Sequence, residues 1–332
     1  MCNHHFLAAE PRRAIEVGEQ GLRLAREIGD RVAEAELLYR VGQAYHLRGE
    51  HRKAISMIEE SLRHGLERRE RDRFELAFVP EVFFRTWLVS ILAECGDFQA
   101  GMIHARNAVA TAAETQHPLS EVLGWLAVGH LALRKSDLDD AIDALERGVA
   151  LSDRYSLPLW RARLVSTLGV SLAYRGRTDE ALRLTEEALA SAEAMGLVVD
   201  QPLLHVHRGE ALLLGGRPAD AAVHAQWALE LALAHGNKRD EPWARMLLAR
   251  SLAFSQNGGD EPVKQLELAL GLAVDCGARP LEAHCRRMLG FILKLRGENA
   301  RGQQLAAEAK EAYEALGVKP MPLPAPDRLA AT

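Results

Sequence analysis

The chain has 332 residues, of which 48% are hydrophobic, 26% charged and only 5% aromatic, and its formal net charge is −5. This composition excludes collagen-like, mucin-like and disordered chains, because apolar residues are plentiful and the net charge is small. With 46 acidic against 41 basic residues, a generic electrostatic attraction to nucleic acid phosphates is not expected. The sequence also lacks a long apolar run, a secretory signal and a Cys-x-x-Cys pair, so we expect a cytoplasmic protein with reduced thiols and without a membrane or nucleic acid partner.

A repeat of about 40 residues runs through the chain. Each unit has a small residue at the start of one predicted helix, at Ala14, Ala54, Gly101, Ala141, Ala181, Ala221, Pro262 and Gly302. Twelve residues earlier, most units place a glycine inside the preceding helix: Gly42, Gly129, Gly169, Gly209 and Gly290. A glycine there costs ~1 kcal/mol relative to alanine, which predicts close approach of a partner helix. Each unit is therefore predicted to be a helix A, a turn and a helix B.

The unit resembles the tetratricopeptide repeat (TPR) in its longer form of about 40 residues. The resemblance rests on a small residue in helix A, an aromatic or aliphatic residue three positions later, and a small residue that opens helix B, as in Gly42, Tyr45 and Ala54. It covers roughly residues 10–317. It implies an all-α fold, a right-handed superhelical solenoid of about seven antiparallel helix hairpins.

The repeat pattern predicts three regions. Residues 1–30 are predicted to form an incomplete N-terminal repeat, whose short first helix leaves the next helix partly uncovered. Residues 31–317 are predicted to form the superhelix, with an insertion at about 66–80. Residues 318–332 carry proline at alternate positions and are predicted to be a flexible tail. The uncovered first repeat predicts either a homodimer through the N-terminal end or a complex with another protein.

The insertion combines a charged run at 67–73 with several aromatic residues. Phe74, Phe78, Phe83, Phe84 and Trp87 follow one another within 14 positions. Two interpretations are open: the aromatics pack into the neighbouring repeat, or they form a docking surface, because buried aromatic and Arg side chains dominate interface energies.

Short stretches around the insertion carry a narrower resemblance. They are similar to parts of the C-terminal TPR arms of bacterial signalling ATPases that also contain a class III adenylate/guanylate cyclase domain. The stretches are Phe74-Glu-Leu-Ala-Phe-Val-Pro80, Val82-Phe-Phe-Arg-Thr-Trp87-Leu, Leu157-Pro-Leu-Trp160 and Arg279-Pro-Leu-Glu-Ala-His284-Cys285. The resemblance implies a regulatory arm whose partner is a cyclase or P-loop ATPase signalling protein. No Gly-x-x-x-x-Gly-Lys-Ser/Thr motif occurs in this chain, so the resemblance implies no ATPase activity for it.

The sequence contains no nucleophile elbow, no Cys/His nucleophile pair and no spacing typical of a metal site. We therefore expect a protein that is not an enzyme, without catalytic residues, metal or cofactor. One charged residue occupies a helix position that is apolar in the other units: Arg208, with His205 and Glu210 as its expected partners. It either reaches the surface or belongs to a polar ligand-binding patch.

The register of helix A predicts which side chains line the concave face of the superhelix. Together with the insertion aromatics and Arg208, they form the predicted partner-binding set: Tyr39, Gln43, His46, Phe83, Phe84, Trp87, His130, Arg163, Arg208, Glu210, Trp243, Arg250, Arg287 and Lys294. Such a groove suits a protein or peptide partner, and a groove filled by the chain itself is equally compatible. Two functions remain open. A non-enzymatic scaffold or regulatory module in bacterial signalling predicts an open groove or an exposed apolar patch, whereas a receptor for a small molecule or signalling peptide predicts one compact polar pocket.

Overall fold

A computed structural model describes residues 1–65, 79–255 and 259–324. Within these ranges the chain forms sixteen α-helices and no strand. They are α1 (Cys2–Leu7), α2 (Pro11–Ile28), α3 (Arg31–Leu47), α4 (His51–Gly65), α5 (Pro80–Cys95), α6 (Phe98–Thr115), α7 (Pro118–Lys135), α8 (Leu138–Arg154), α9 (Pro158–Arg175), α10 (Thr178–Ala194), α11 (Gln201–Leu214), α12 (Pro218–His235), α13 (Glu241–Phe254), α14 (Glu261–Cys276), α15 (Arg279–Leu295) and α16 (Asn299–Leu316). None of these helices is long and apolar enough to cross a membrane.

The helices from α3 onward pair as seven successive hairpins, from α3/α4 to α15/α16. The short α1 and the full-length α2 precede them and pack against α3. This is the all-α solenoid of antiparallel hairpins that the repeat predicts. The odd-numbered helices from α3 to α15 are the helix A elements, and their inner faces line the concave side.

The glycines inside helix A mark the closest approach between the two helices of a hairpin. A Cβ atom added at Gly169 in α9 would lie 2.6 Å from the Thr185 Cγ2 atom of α10, and one added at Gly129 would lie 2.4 Å from Leu145 Cγ. Any larger residue would force these helices apart. The turns between the helices use left-handed backbone, with φ of +90° at Gly176 and 65° at Ser136.

The first hairpins contact the last ones: the end of α5 bonds to the start of α15, and the end of α3 bonds to the loop before α13. The Arg279 Nε–H at the start of α15 donates to the Cys95 carbonyl at 2.6 Å, and the Arg239 backbone N–H donates to the Leu47 carbonyl at 3.1 Å. One buried apolar cluster joins Val89 of α5 to Ala283 of α15 and Tyr313 of α16. The contacts between distant hairpins therefore narrow the concave face, which remains open to solvent at the central cavity.

The aromatics that follow the insertion lie inside the chain. The ring of Tyr39 lies 4.9 Å from that of Phe84 and 5.2 Å from that of Phe83, whose other neighbour is Trp160 at 5.7 Å. Trp87 makes an edge contact with Phe6 of α1. The interpretation of Phe83 and Phe84 as an exposed docking surface is therefore wrong, because they form part of the core. The charged run at 67–73, Phe74 and Phe78 lie outside the described residues.

Candidate ligand-binding groove

A cavity of about 90 Å³ occupies the middle of the concave face and opens to solvent. Its walls are the inner faces of α3, α5, α7, α9 and α11, together with the loop before α13. Four residues of the predicted set line it: His46, Trp87, His130 and Arg163. They come from four successive helix A elements. The repeat register predicts His46, His130 and Arg163 for the concave face, and Trp87 is one of the insertion aromatics.

Three arginines of the cavity each bind a carboxylate. Arg163 Nε lies 2.8 Å from Asp200 Oδ2, and Arg239 Nη2 lies 2.6 Å from Asp240 Oδ2. Arg134 Nε donates to Glu94 Oε1 at 2.7 Å. These three cations and three anions balance, so the cavity has polar walls without a net fixed charge.

Burial and neighbouring charges shift the pKa of Glu94 in opposite directions. Burial alone would raise the pKa of this carboxyl, but Arg134 and His130 beside it hold the pKa well below its usual range. Burial alone would lower the pKa of the Arg239 guanidinium, but Asp240 outweighs this effect and the pKa is raised. Glu94 and Arg239 are therefore ionised at neutral pH.

Three histidines of the cavity are neutral at pH 7. Burial lowers the pKa of His46, His130 and His207, and the nearby arginines lower it further. In the described part of the chain, His46 Nδ1 and His207 Nε2 have no hydrogen-bond partner, although His207 Nδ1 lies 2.8 Å from Ser166 Oγ. His130 Nε2 lies 3.7 Å from Glu94 Oε1. A buried polar atom without a partner costs ~1–3 kcal/mol, so the free ring nitrogens favour a ligand that has polar groups.

An aromatic wall faces these polar groups. The Arg163 guanidinium lies over the ring of Trp160 at 4.8 Å and over that of Trp87 at 5.7 Å. Cation–π contacts and the ion pair with Asp200 hold this arginine in place. The wall offers a flat apolar surface for a ligand side chain.

A junction between distant hairpins closes one end of the cavity. Glu94 Oε2 accepts a hydrogen bond from Trp243 Nε1 at 3.3 Å, and the Arg134 guanidinium lies 4.1 Å from the centre of the Trp243 ring. Trp243 also lies next to His284, at 6.4 Å between ring centres. Trp243 belongs to the predicted set, and it separates the central cavity from a second one.

The second cavity, of about 200 Å³, lies between α13, α15 and α16. Arg250, Arg287 and Lys294 of the predicted set line it. Arg250 forms a buried ion pair with Glu210, another member of the set. At the base, His284 Nδ1 lies 2.8 Å from the Tyr313 hydroxyl, and burial lowers the pKa of His284 to about 3.

Residues 318–324 lie over this second cavity. Their main-chain carbonyls accept three hydrogen bonds: Lys319 from Ser136 Oγ at 2.9 Å, Met321 from Arg287 Nη1 at 2.6 Å, and Pro322 from Arg250 Nη2 at 3.1 Å. Three side chains therefore hold residues 318–324 against the groove, and the flexible tail predicted for residues 318–332 stays a prediction. Residues 325–332 lie outside the described residues.

The rest of the predicted set lies elsewhere. Tyr39 and Gln43 are buried in the packing between helices, as are Phe83 and Phe84. Arg208 reaches back to the preceding hairpin, where Nη1 donates to the Leu182 carbonyl at 2.5 Å and Nη2 lies 3.2 Å from Glu186.

The prediction that Arg208 pairs with His205 and Glu210 is therefore wrong. Glu210 binds Arg250, and His205 Nδ1 lies 3.0 Å from His224 Nδ1. Among the described residues, the one group of three potential metal ligands is Glu34, Glu60 and His64. None of these three lines the cavity, and the Arg26 guanidinium bonds both carboxylates.

Several cavity residues were missed by the sequence analysis, notably Glu94, Arg134, His207, Arg239 and Asp240. A signal existed for the first two, because an acid and a base occupy equivalent helix A positions 40 residues apart. Arg239 and Asp240 stand in a loop, where the repeat gives no register.

No family model and no curated protein sequence matches this chain. Solved structures share its fold. The Rap conjugation gene regulator of plasmid pLS20, in complex with the Phr* peptide, has a TM-score of 0.66 at 14% identity, over 86% of this chain and 75% of that one. A Rap protein complexed with Competence and Sporulation Factor has a TM-score of 0.63 at 13% identity, over 95% of this chain and 91% of that one.

A signal transduction ATPase with a TPR sensor from Pyrococcus horikoshii has a TM-score of 0.50 at 14% identity. The match covers 94% of this chain and 46% of that one. The chain has the fold of TPR-like helical-repeat proteins. At these identities the similarity concerns the fold alone, and the narrower resemblance to cyclase-linked arms is not confirmed by it.

Proposed function

We propose that this protein is a regulatory interaction module that binds a short peptide in its central cavity. The observation that carries the proposal is the cavity itself, in which an aromatic wall faces neutral histidines and paired charges. A receptor requires one compact pocket with polar lining, whereas a scaffold that docks proteins along its length requires an open groove. The contacts that narrow the concave face favour the receptor.

The chemistry of the walls suits a peptide better than a purely apolar ligand. A peptide backbone presents N–H donors and carbonyl acceptors, and a neutral imidazole can serve either group. The charged ends and side chains of a peptide can approach the Arg163–Asp200 and Arg239–Asp240 pairs. The two tryptophans can cover one apolar side chain. Two similar structures hold a peptide or signalling factor, which supports the same use of this groove.

Binding would act on the whole superhelix, because the cavity takes residues from α3 to the loop before α13. A ligand that contacts these elements stabilises one curvature of the solenoid. The protein that responds to this change is proposed to be a signalling ATPase or cyclase, on the sequence resemblance. A homodimer through the N-terminal end is not part of the proposal, since Phe6 and Phe84 are buried within the chain.

The proposal can be tested by selecting a random octapeptide library on the immobilised protein and titrating an enriched peptide by tryptophan fluorescence. The expected result is a peptide that binds the wild type and loses at least tenfold in affinity with Trp160→Leu. Trp227→Leu is the matched control, because Trp227 is half-exposed and lies outside the cavity. Two results would overturn the proposal. One is that the folded protein enriches no peptide better than unfolded protein does, and the other is that Trp160→Leu and Trp227→Leu bind the peptide with equal affinity.

A further inference from the structure

We propose that the second cavity is a separate binding site for an extended, proline-containing peptide, and that residues 318–324 occupy it here as a tethered ligand. This site goes beyond the proposed function, because the Glu94–Arg134–Trp243 junction separates it from the central cavity. Four observations carry the inference: the pattern of main-chain hydrogen bonds, the buried cation beneath the segment, the buried Met321 side chain and the space that remains.

The hydrogen bonds match the chemistry of a proline-rich segment. Proline stands at positions 320, 322 and 324, and none of these residues has an N–H to donate. The segment therefore offers more acceptors than donors, and it needs donors from the groove. Arginine carries five N–H donors and no acceptor, and Arg287 and Arg250 bind successive carbonyls, those of Met321 and Pro322.

Arg250 is a buried cation that the segment helps to satisfy. Its side chain is 3% exposed and its one carboxylate partner is Glu210, which occupies Nη1. Nη2 donates to the Pro322 carbonyl. Without the segment this donor would lose its partner, and an unmet buried donor on a charged group is costly. The groove is thus built to receive a carbonyl at this point.

The Met321 side chain anchors the segment, and the site retains space beside it. Met321 belongs to the same buried cluster as Met246, Met288 and Ile292, and Leu323 packs against that cluster. A flexible methionine fits an irregular apolar gap. A cavity of about 200 Å³ remains next to the segment, which leaves room for a free peptide with a somewhat bulkier residue in place of Met321.

Residues 318–324 compete with a free peptide for the second cavity, because they are covalently attached next to it. Gly317 alone separates α16 from the segment, and a short tether gives an effective concentration of about 1 mM. A free peptide with an intrinsic Kd of ~10 μM would therefore bind the wild type ~100-fold more weakly than a variant whose segment has left the site.

The experiment uses the full chain and a fluorescein-labelled peptide of sequence Lys-Pro-Met-Pro-Leu-Pro-Ala-Pro, followed by fluorescence anisotropy. Met321→Asp places a charge in an apolar site and should release the segment, whereas Met321→Leu should retain it. We expect Met321→Asp to bind the peptide at least tenfold more tightly than the wild type or Met321→Leu. Adding Arg287→Gln to Met321→Asp should abolish the gain. Circular dichroism checks that each variant remains helical.

Two results would overturn the inference. One is failure of folded Met321→Asp to bind the peptide, which would remove the site. The other is equal affinity of the wild type and Met321→Asp, which would mean that residues 318–324 do not compete for it. A probe with Asp in place of Met gives an independent check, because it should bind neither protein. Trp160→Leu should leave the binding of the proline-containing probe unchanged, so failure of the central cavity and failure of this site are distinguishable.

Discussion

Replacing Gly169 by alanine tests the packing that defines the repeat. The added Cβ would lie 2.6 Å from Thr185 Cγ2 and 3.4 Å from the Ala181 carbonyl oxygen. Thr185 cannot simply rotate away, because it is buried and its hydroxyl donates to that same carbonyl at 2.8 Å. Alanine gains ~1 kcal/mol of helix propensity over glycine, but overpacking costs ~1–3 kcal/mol. The net expectation is a loss of stability of up to ~2 kcal/mol.

Gly271→Ala is the matched control, since Gly271 is also inside a helix but has no atom within 4 Å of the added Cβ. This variant should gain the full propensity term, ~1 kcal/mol. Urea unfolding followed by circular dichroism measures both variants against the wild type. If Gly169→Ala stabilises the protein as much as Gly271→Ala does, the helices of the hairpin are not in tight contact at this position and the reasoning fails.

Three further predictions concern charged and titratable groups. Glu94→Ala leaves the buried Arg134 guanidinium without its anion and should destabilise the protein by ~3–5 kcal/mol in urea unfolding; a loss below 1 kcal/mol would show that the pair contributes little. Burial keeps the pKa of His46 and His207 well below the usual range. Below about pH 6.5 these histidines are therefore protonated in the unfolded chain but not in the folded chain. These two histidines should together lower the stability by about 3 kcal/mol at pH 5.5 relative to the value above pH 7, and a His46→Gln, His207→Gln variant with the same pH dependence as the wild type would contradict this cause. Arg208→Met replaces a charge whose carboxylate partner, Glu186, is largely exposed, and it should be neutral or stabilising by up to ~1 kcal/mol; a marked loss in the same assay would mean that the contact with the Leu182 carbonyl matters more than packing.

The sequence alone predicted much of the fold because helix propensity and a 40-residue period are local and repeated. Gly42 and its equivalents placed helix A against helix B, and the same register brought His46, His130 and Arg163 to one cavity. The register failed for Phe83, which packs between Tyr39 and Trp160.

The contacts between distant hairpins could not be predicted in this way. The Glu94–Trp243 hydrogen bond joins residues 149 positions apart, and no multiple of the period relates them. Alternate prolines exclude a helix in residues 318–324 but do not exclude extended binding to arginine donors, so the contacts with Arg250 and Arg287 could not be predicted. A usable signal was present in the pairs Glu94–Arg134 and Glu210–Arg250, each 40 residues apart. Opposite charges at equivalent positions of neighbouring repeats indicate an ion pair across the concave face.

A calorimetric titration with two matched arginine variants tests the central claim most directly. Arg163 lies 4.8 Å over Trp160 in the cavity, and Arg147 lies 4.9 Å over Trp125 outside it. A peptide selected on the wild type should bind Arg147→Gln with unchanged affinity and Arg163→Gln at least tenfold more weakly. Equal affinity for the wild type, Arg147→Gln and Arg163→Gln would contradict the assignment of the central cavity as the peptide site.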